Sequence, residues 1–171
     1  DAIFFDMDGL MVDSEPQWFV SEIEVTKPFG YTWLEEDQVA CLGGPLSRVG
    51  QYMFDKCGQV QSPDFFTQEL IRVQAEKMRG NTPTMPGAVE LISDLRANGI
   101  ELTLVSASPR SLVDAALSNF AESPFARSIS SNDVKITKPD PEGYLLAASS
   151  GGHEISNCLV LVRPRLVLVA Y

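Results

Sequence analysis

The chain has 171 residues, 44% hydrophobic and 21% charged, a globular composition that argues against disorder and fits one large domain or two small ones. Lys and Arg number 13 against 23 Asp and Glu, a net charge of −10 with no basic cluster, which argues against nucleic acid as a main partner because phosphate neutralisation needs grouped cations. No apolar run approaches the ~20 residues of a membrane helix, and the 3 scattered cysteines and single histidine exclude a CxxC framework and a His-rich zinc site.

The opening residues carry no basic-then-apolar targeting pattern, and the cysteine usage predicts a reducing compartment, hence a cytoplasmic protein with no membrane partner. Residues 2–5 are a short apolar run closed at once by Asp6-Met7-Asp8-Gly9, which predicts a buried strand of a parallel sheet. From 14 to 79 the apolar residues recur at helical spacing. Gly43-Gly44-Pro45 and the stretch 58–63 divide that block into three or four helices. Glu15-Pro16 suits a helix start, with Trp18, Phe19 and Ile23 on one face. In 63–79, Phe66, Leu70 and Val73 recur at i, i+4, i+7.

Two prolines and two glycines over 80–87 read as a hinge. Beyond it the pattern alternates: a helix over 88–98 ended by Gly99, a strand over 100–105, a helix over 111–120 and a short strand over 127–130. A helix over 141–150 and strands over 158–162 and 166–170 follow, with His153 in a surface loop between them. This order predicts an α/β fold, a Rossmann-like doubly wound parallel sheet. A small α-helical cap, residues 14–82, is inserted after the first strand, and 1–13 with 83–171 form the core.

In such sheets ligands bind at the carboxyl ends of the strands. Asp6 ends the first strand with Asp8 two residues on, Ser106 ends the second, and Lys138 precedes the 141–150 helix. A carboxylate can accept a phosphoryl group as an acyl phosphate, and a second one can protonate the leaving oxygen and then activate water. Ser106 and the Ala107 N–H can hold phosphoryl oxygens while Lys138 neutralises developing charge. Two carboxylates facing a phosphate also call for a hard cation, of which Mg²⁺ fits best.

The segment Asp6-Met7-Asp8-Gly9-Leu10-Met11-Val12-Asp13-Ser14-Glu15-Pro16 resembles the first motif of the haloacid dehalogenase-like phosphatases. Leu104-Val105-Ser106-Ala107-Ser108 and Thr137-Lys138-Pro139-Asp140-Pro141 are similar to that family's second and third motifs, and the helical block resembles its small cap. The resemblance implies a Mg²⁺-dependent phosphoric monoester hydrolase acting on a small phosphorylated metabolite, a sugar phosphate first, through an aspartyl-phosphate intermediate. It makes Asp6 the nucleophile, Asp8 the general acid/base, and Ser106 and Lys138 phosphate contacts. It places Mg²⁺ on the Asp6 carboxylate and the Asp8 backbone carbonyl. Arg48 stands where related sugar-phosphate enzymes carry a cap arginine, and Ser108 and Arg110 adjoin the second motif. Trp18 stands near the position of a histidine that gates proton transfer in the resembling β-phosphoglucomutases.

The fourth motif of the family, an acid pair after the next strand, is replaced here by Val162 and Arg163. The segments 158–162 and 166–170 are joined only by Arg163-Pro164-Arg165, where a parallel crossover takes a dozen or more residues. That spacing predicts a stretch carrying the acids, absent from this sequence near Val162. The rival readings are a phosphomutase of the same family and, if the acids are truly missing, a non-catalytic phosphometabolite-binding protein.

Overall fold

The computed structural model describes residues 1–163 of the chain. Strand β1 (Ala2–Phe5) is internal, with β2 (Glu101–Val105) on one side and β4 (Cys158–Leu161) on the other, and β3 (Arg127–Ile129) lies beyond β2. Every pairing is parallel, in the order β3-β2-β1-β4. Helices α1 (Glu15–Thr26), α2 (Glu35–Cys41), α3 (Leu46–Lys56) and α4 (Pro63–Met78) come between β1 and the rest, with a short 3₁₀ turn at Lys27–Phe29. Helices α5 (Ala88–Ala97), α6 (Arg110–Leu117) and α7 (Glu142–Gly151) supply the crossovers. This is the Rossmann-like α/β arrangement expected from the alternation of elements.

Side chains alternate across a strand, and β1 shows it. Ala2 and Phe4 pack with Ala147 and Ala148 of α7, whereas Phe5 joins Leu102, Leu104, Ile92, Leu112 and Val113 in the other layer. Phe4 and Phe5 are 0% and 1% exposed, and burying such a side chain contributes roughly 1.5–3 kcal/mol. The four helices from 15 to 78 have a cluster of their own around Trp33, Met53, Phe66 and Leu70, and Trp18 and Leu46 pack against both this cluster and the sheet-side one.

The expected helix over 111–120 closes earlier, at Leu117, because side chains take its last carbonyls. Ser118 Oγ donates to Ala115 O, and Asn119 Nδ2 donates to Ala115 O and Ala116 O. His153 lies in the expected loop after α7 but is half-buried there, its Nε2 3.0 Å from Glu101 Oε1. The expected strand over 166–170 and its link through Pro164-Arg165 lie outside the described residues. No helix among the described residues is long and apolar enough to cross a membrane.

Inside the helical layer, Glu22 is 5% exposed and accepts a hydrogen bond from Trp33 Nε1 at 2.9 Å. Burial pushes its carboxyl up from 4.5 to about 7, more than the Trp33 bond pulls it down. The folded state therefore holds this proton more tightly than the unfolded chain, and stability falls as pH rises from about 4.5 through about 7. Glu22→Gln keeps an acceptor for Trp33 without the charge. Thermal melts should show it more stable than wild type by on the order of 2 kcal/mol at alkaline pH and near wild type at mildly acidic pH. Equal shifts at both pH values would mean that Glu22 is not the titrating group.

Candidate active site

Asp6 directly follows β1, and its N–H donates to Leu161 O at 2.9 Å, extending the β1–β4 ladder by one bond. Its Oδ1 accepts from the Met7 N–H at 2.9 Å and from Lys138 Nζ at 2.7 Å. Lys138 also donates to Val105 O at 2.7 Å and sits 5.3 Å from the centroid of the Tyr144 ring, so one ammonium links the ends of β1 and β2. Glu142 accepts from the N–H groups of Lys135 and Ile136 at 3.0 and 2.9 Å, which anchors the loop carrying Lys138 to the start of α7.

Between β1 and α1 the chain folds into a tight loop, with the N–H groups of Met11 and Val12 on Met7 O at 3.0 and 3.1 Å. Gly9 has φ +73, the left-handed region that a side chain strains, and the Arg163 side chain lies where a Cβ on it would stand. Asp8 is held by two hydroxyls: Ser14 Oγ donates to Oδ1 at 2.6 Å and Ser108 Oγ to Oδ2 at 3.0 Å. Desolvation raises the Asp8 carboxyl above its usual range, with Asp6 adding to the rise, and outweighs the two hydroxyls and Lys138. Ser106 Oγ accepts from the Ser108 N–H at 3.0 Å, which fixes the turn after β2 and leaves Ala107 exposed at its crest.

The structure thus brings Asp6, Asp8, Ser106, Ala107, Ser108 and Lys138 to one rim. It also adds Ser14, which reading by chain position passes over as an ordinary helix cap. Ser14 occupies the N-cap of α1 but makes no capping bond; its hydroxyl, 0% exposed, goes to Asp8. The signal available in the sequence is that this serine opens a helix eight residues after the nucleophile candidate.

Arg48 and Arg110 are engaged elsewhere. Arg48 Nη2 donates to Ala40 O at 2.8 Å and Leu42 O at 3.4 Å, closing the carboxyl end of α2. Arg110 binds Ser128 Oγ at 2.7 Å and Ser128 O at 3.0 Å and pairs with Asp133, bracing α6 against the loop after β3. Trp18 fills the junction between the two hydrophobic clusters.

Among the described residues the donor set does not suit Mg²⁺, which demands near-octahedral oxygen ligation. Among the described residues no three His, Cys, Asp or Glu side chains are grouped to hold a metal. The end of β4 offers Val162 and the cationic Arg163 where a third acid would be needed.

The sequence model described as haloacid dehalogenase-like hydrolase matches residues 3–159. Hexitol phosphatase B of Escherichia coli (strain K12) is 26% identical over 163 residues, covering 94% of this chain and 73% of its own length. A phosphorylated carbohydrates phosphatase of Thermotoga maritima is 29% identical over 151 residues, covering 85% and 68%. The structure of a HAD hydrolase, family IA, variant 3, from Entamoeba histolytica superposes with a TM-score of 0.78 at 21% identity, over 94% of this chain and 74% of the other, and shares the fold.

If Arg48 is a helix brace, Arg48→Ala should lower stability by about 1 kcal/mol, the usual worth of such bonds, and leave KM for a phosphomonoester unchanged. Chemical denaturation beside steady-state kinetics checks this. A raised KM at unchanged stability would return Arg48 to the substrate.

Proposed function

Because the chain belongs to the haloacid dehalogenase-like hydrolase family and, like its relatives, is a phosphatase, we propose that it hydrolyses a small phosphorylated sugar or sugar alcohol through a phosphoryl group carried on Asp6. The observation that carries this reading is the meeting of Asp6, Asp8 and Lys138 at adjacent strand ends, with Lys138 on one oxygen of Asp6 and two hydroxyls on Asp8. On this reading residues 14–82, which hold helices α1–α4, are the cap, and 1–13 with 83–171 the core, of which 164–171 lie outside the described residues.

Lys138 holds the Asp6 carboxylate and, with the Ser106 hydroxyl and the Ala107 N–H, receives the phosphoryl oxygens. The Asp6 oxygen not bound to Lys138 attacks phosphorus, and the bond from phosphorus to the leaving oxygen breaks with both electrons remaining on that oxygen. Asp8, whose surroundings favour the protonated form, delivers its proton there and the alcohol departs. Asp8, now anionic, takes a proton from water as the water attacks the acyl phosphate, releasing inorganic phosphate and restoring Asp6. Mg²⁺ is the cation implied by the family; from the described residues it would have the Asp6 carboxylate and the Asp8 carbonyl and no third acid.

Hydrolysis is favoured over phosphoryl return to a bound sugar because Trp18, near the place of a gating histidine, has only an N–H donor and cannot accept a proton. Its position in the hydrophobic junction agrees with that reading.

Asp6→Asn should abolish release of inorganic phosphate while leaving the thermal midpoint close to wild type, since the side chain is nearly isosteric. Retained turnover would remove Asp6 as nucleophile. Asp8→Ala should slow alkyl phosphates by about 10²–10⁴-fold and aryl phosphates far less, because aryl leaving groups depart without full protonation. Equal losses on both, measured as kcat, would count against Asp8 as the acid.

A further inference from the structure

Arg163 is a residue at the strand-end rim for which the proposed reaction has no use. β4 runs parallel to β1 with Leu161 level with Phe5, so residues 162–163 leave the sheet beside the Asp6–Asp8 loop. The Arg163 side chain then lies back over Gly9: its Nη1 and Cδ stand 2.7 and 2.8 Å from where a Cβ on Gly9 would be. Only a glycine leaves that space, so the loop and the arginine fit each other.

We propose that the Arg163 guanidinium is a second phosphate-binding cation of this site, which lets the chain bind a phosphate group without a divalent metal. The inference rests on the phosphate site proposed above and deepens it.

The charges around the rim support it. Asp6 and Asp8 stand at this end of the sheet, and the Glu15 carboxyl lies within the field of Asp8 and Asp13. Lys138 is already paired with Asp6. A phosphate dianion arriving there needs another positive group, and the donor set described above does not build one from metal. Arg163 is exposed, and its field is felt inside the cluster. Partial burial and Asp8 push the Glu15 carboxyl up, and Arg163 pulls it back. A guanidinium is also the group best shaped for the task. It is planar, permanently charged, and presents N–H donors in a fork that matches two phosphate oxygens. The same charge repels a divalent cation from the adjoining carboxylates, so Arg163 brings to the end of β4 a positive charge of the kind a metal would supply.

Equilibrium dialysis of inorganic phosphate, with EDTA and again with excess Mg²⁺, tests this on the full chain. Wild type should bind phosphate in EDTA with a Kd that Mg²⁺ leaves unchanged. Arg163→Ala should weaken binding by about tenfold or more, the loss of a charge-assisted hydrogen-bonded contact. Arg163→Lys should retain part of the affinity as a point charge, and Arg96→Ala, a surface control on α5, should bind as wild type. Thermal melts of each variant confirm folding, which an exposed side chain should not disturb. Binding that appears only with Mg²⁺, or an Arg163→Ala variant that binds as wild type, overturns the inference. The dialysis needs no turnover. A chain that binds phosphate through Arg163 yet hydrolyses no phosphomonoester refutes the proposed reaction and leaves this inference standing. Hydrolysis with binding indifferent to Arg163 does the reverse.

Discussion

Everything at the rim depends on the parallel pairing of β1 along both of its edges. Phe5 lies level with Leu104 on one side and Leu161 on the other, so the residues that follow each strand emerge at one end of the sheet. A slip of one residue would exchange the small Ala2 of the α7 side with the larger Ile3 of the other layer, so the packing of both faces holds the register. The Asp6–Lys138 pair then ties a loop 132 residues away in sequence to that end. Chemistry and core share one constraint, since the alternation that buries Phe4 and Phe5 also delivers Asp6 to the rim.

Two carboxyl groups two residues apart sit in different environments. Asp6 has one oxygen held by an ammonium and a backbone N–H. Asp8 is half-buried and approached by hydroxyls, whose bonds do not make up for the hydration it loses, so its proton is retained more readily. That difference in environment is what the proposed reaction asks of the pair, with Asp6 as nucleophile and Asp8 as acid.

The helical layer is tied to this arrangement by Ser14 and the two chain passages beside it. The Asp13 N–H donates to Pro83 O at 2.8 Å and the Met85 N–H to Met11 O at 3.0 Å, so the way out and the way back run side by side. Gln17 and Thr82 add a bond of 2.9 Å between them. Further out the layer has a polar centre of its own. Burial would raise Asp37, but the Leu34 N–H, the Tyr52 and Tyr31 hydroxyls and Lys56 hold its carboxyl below the usual range. A satisfied network of this kind specifies how α2 and α3 meet.

The sequence alone determined the elements and which residues follow the strand ends. Hydrophobic period, proline and glycine placement and the three short motifs are local signals, and they marked β1 to β4, the helices, Asp6, Asp8, Ser106 and Lys138 correctly as neighbours of strand ends. Helix ends such as Leu117 were legible less well, because Ser118 and Asn119 close them with side-chain bonds that periodicity does not register. What tertiary structure decided was the assignment of polar side chains with several possible partners. Arg48 went to the end of α2, Arg110 to Asp133 and Ser128, Ser14 away from its own helix to Asp8, and Arg163 over Gly9. A long or hydroxylated side chain takes whichever unsatisfied group the fold brings within about 3 Å, and that choice is made by distances between segments far apart in the chain.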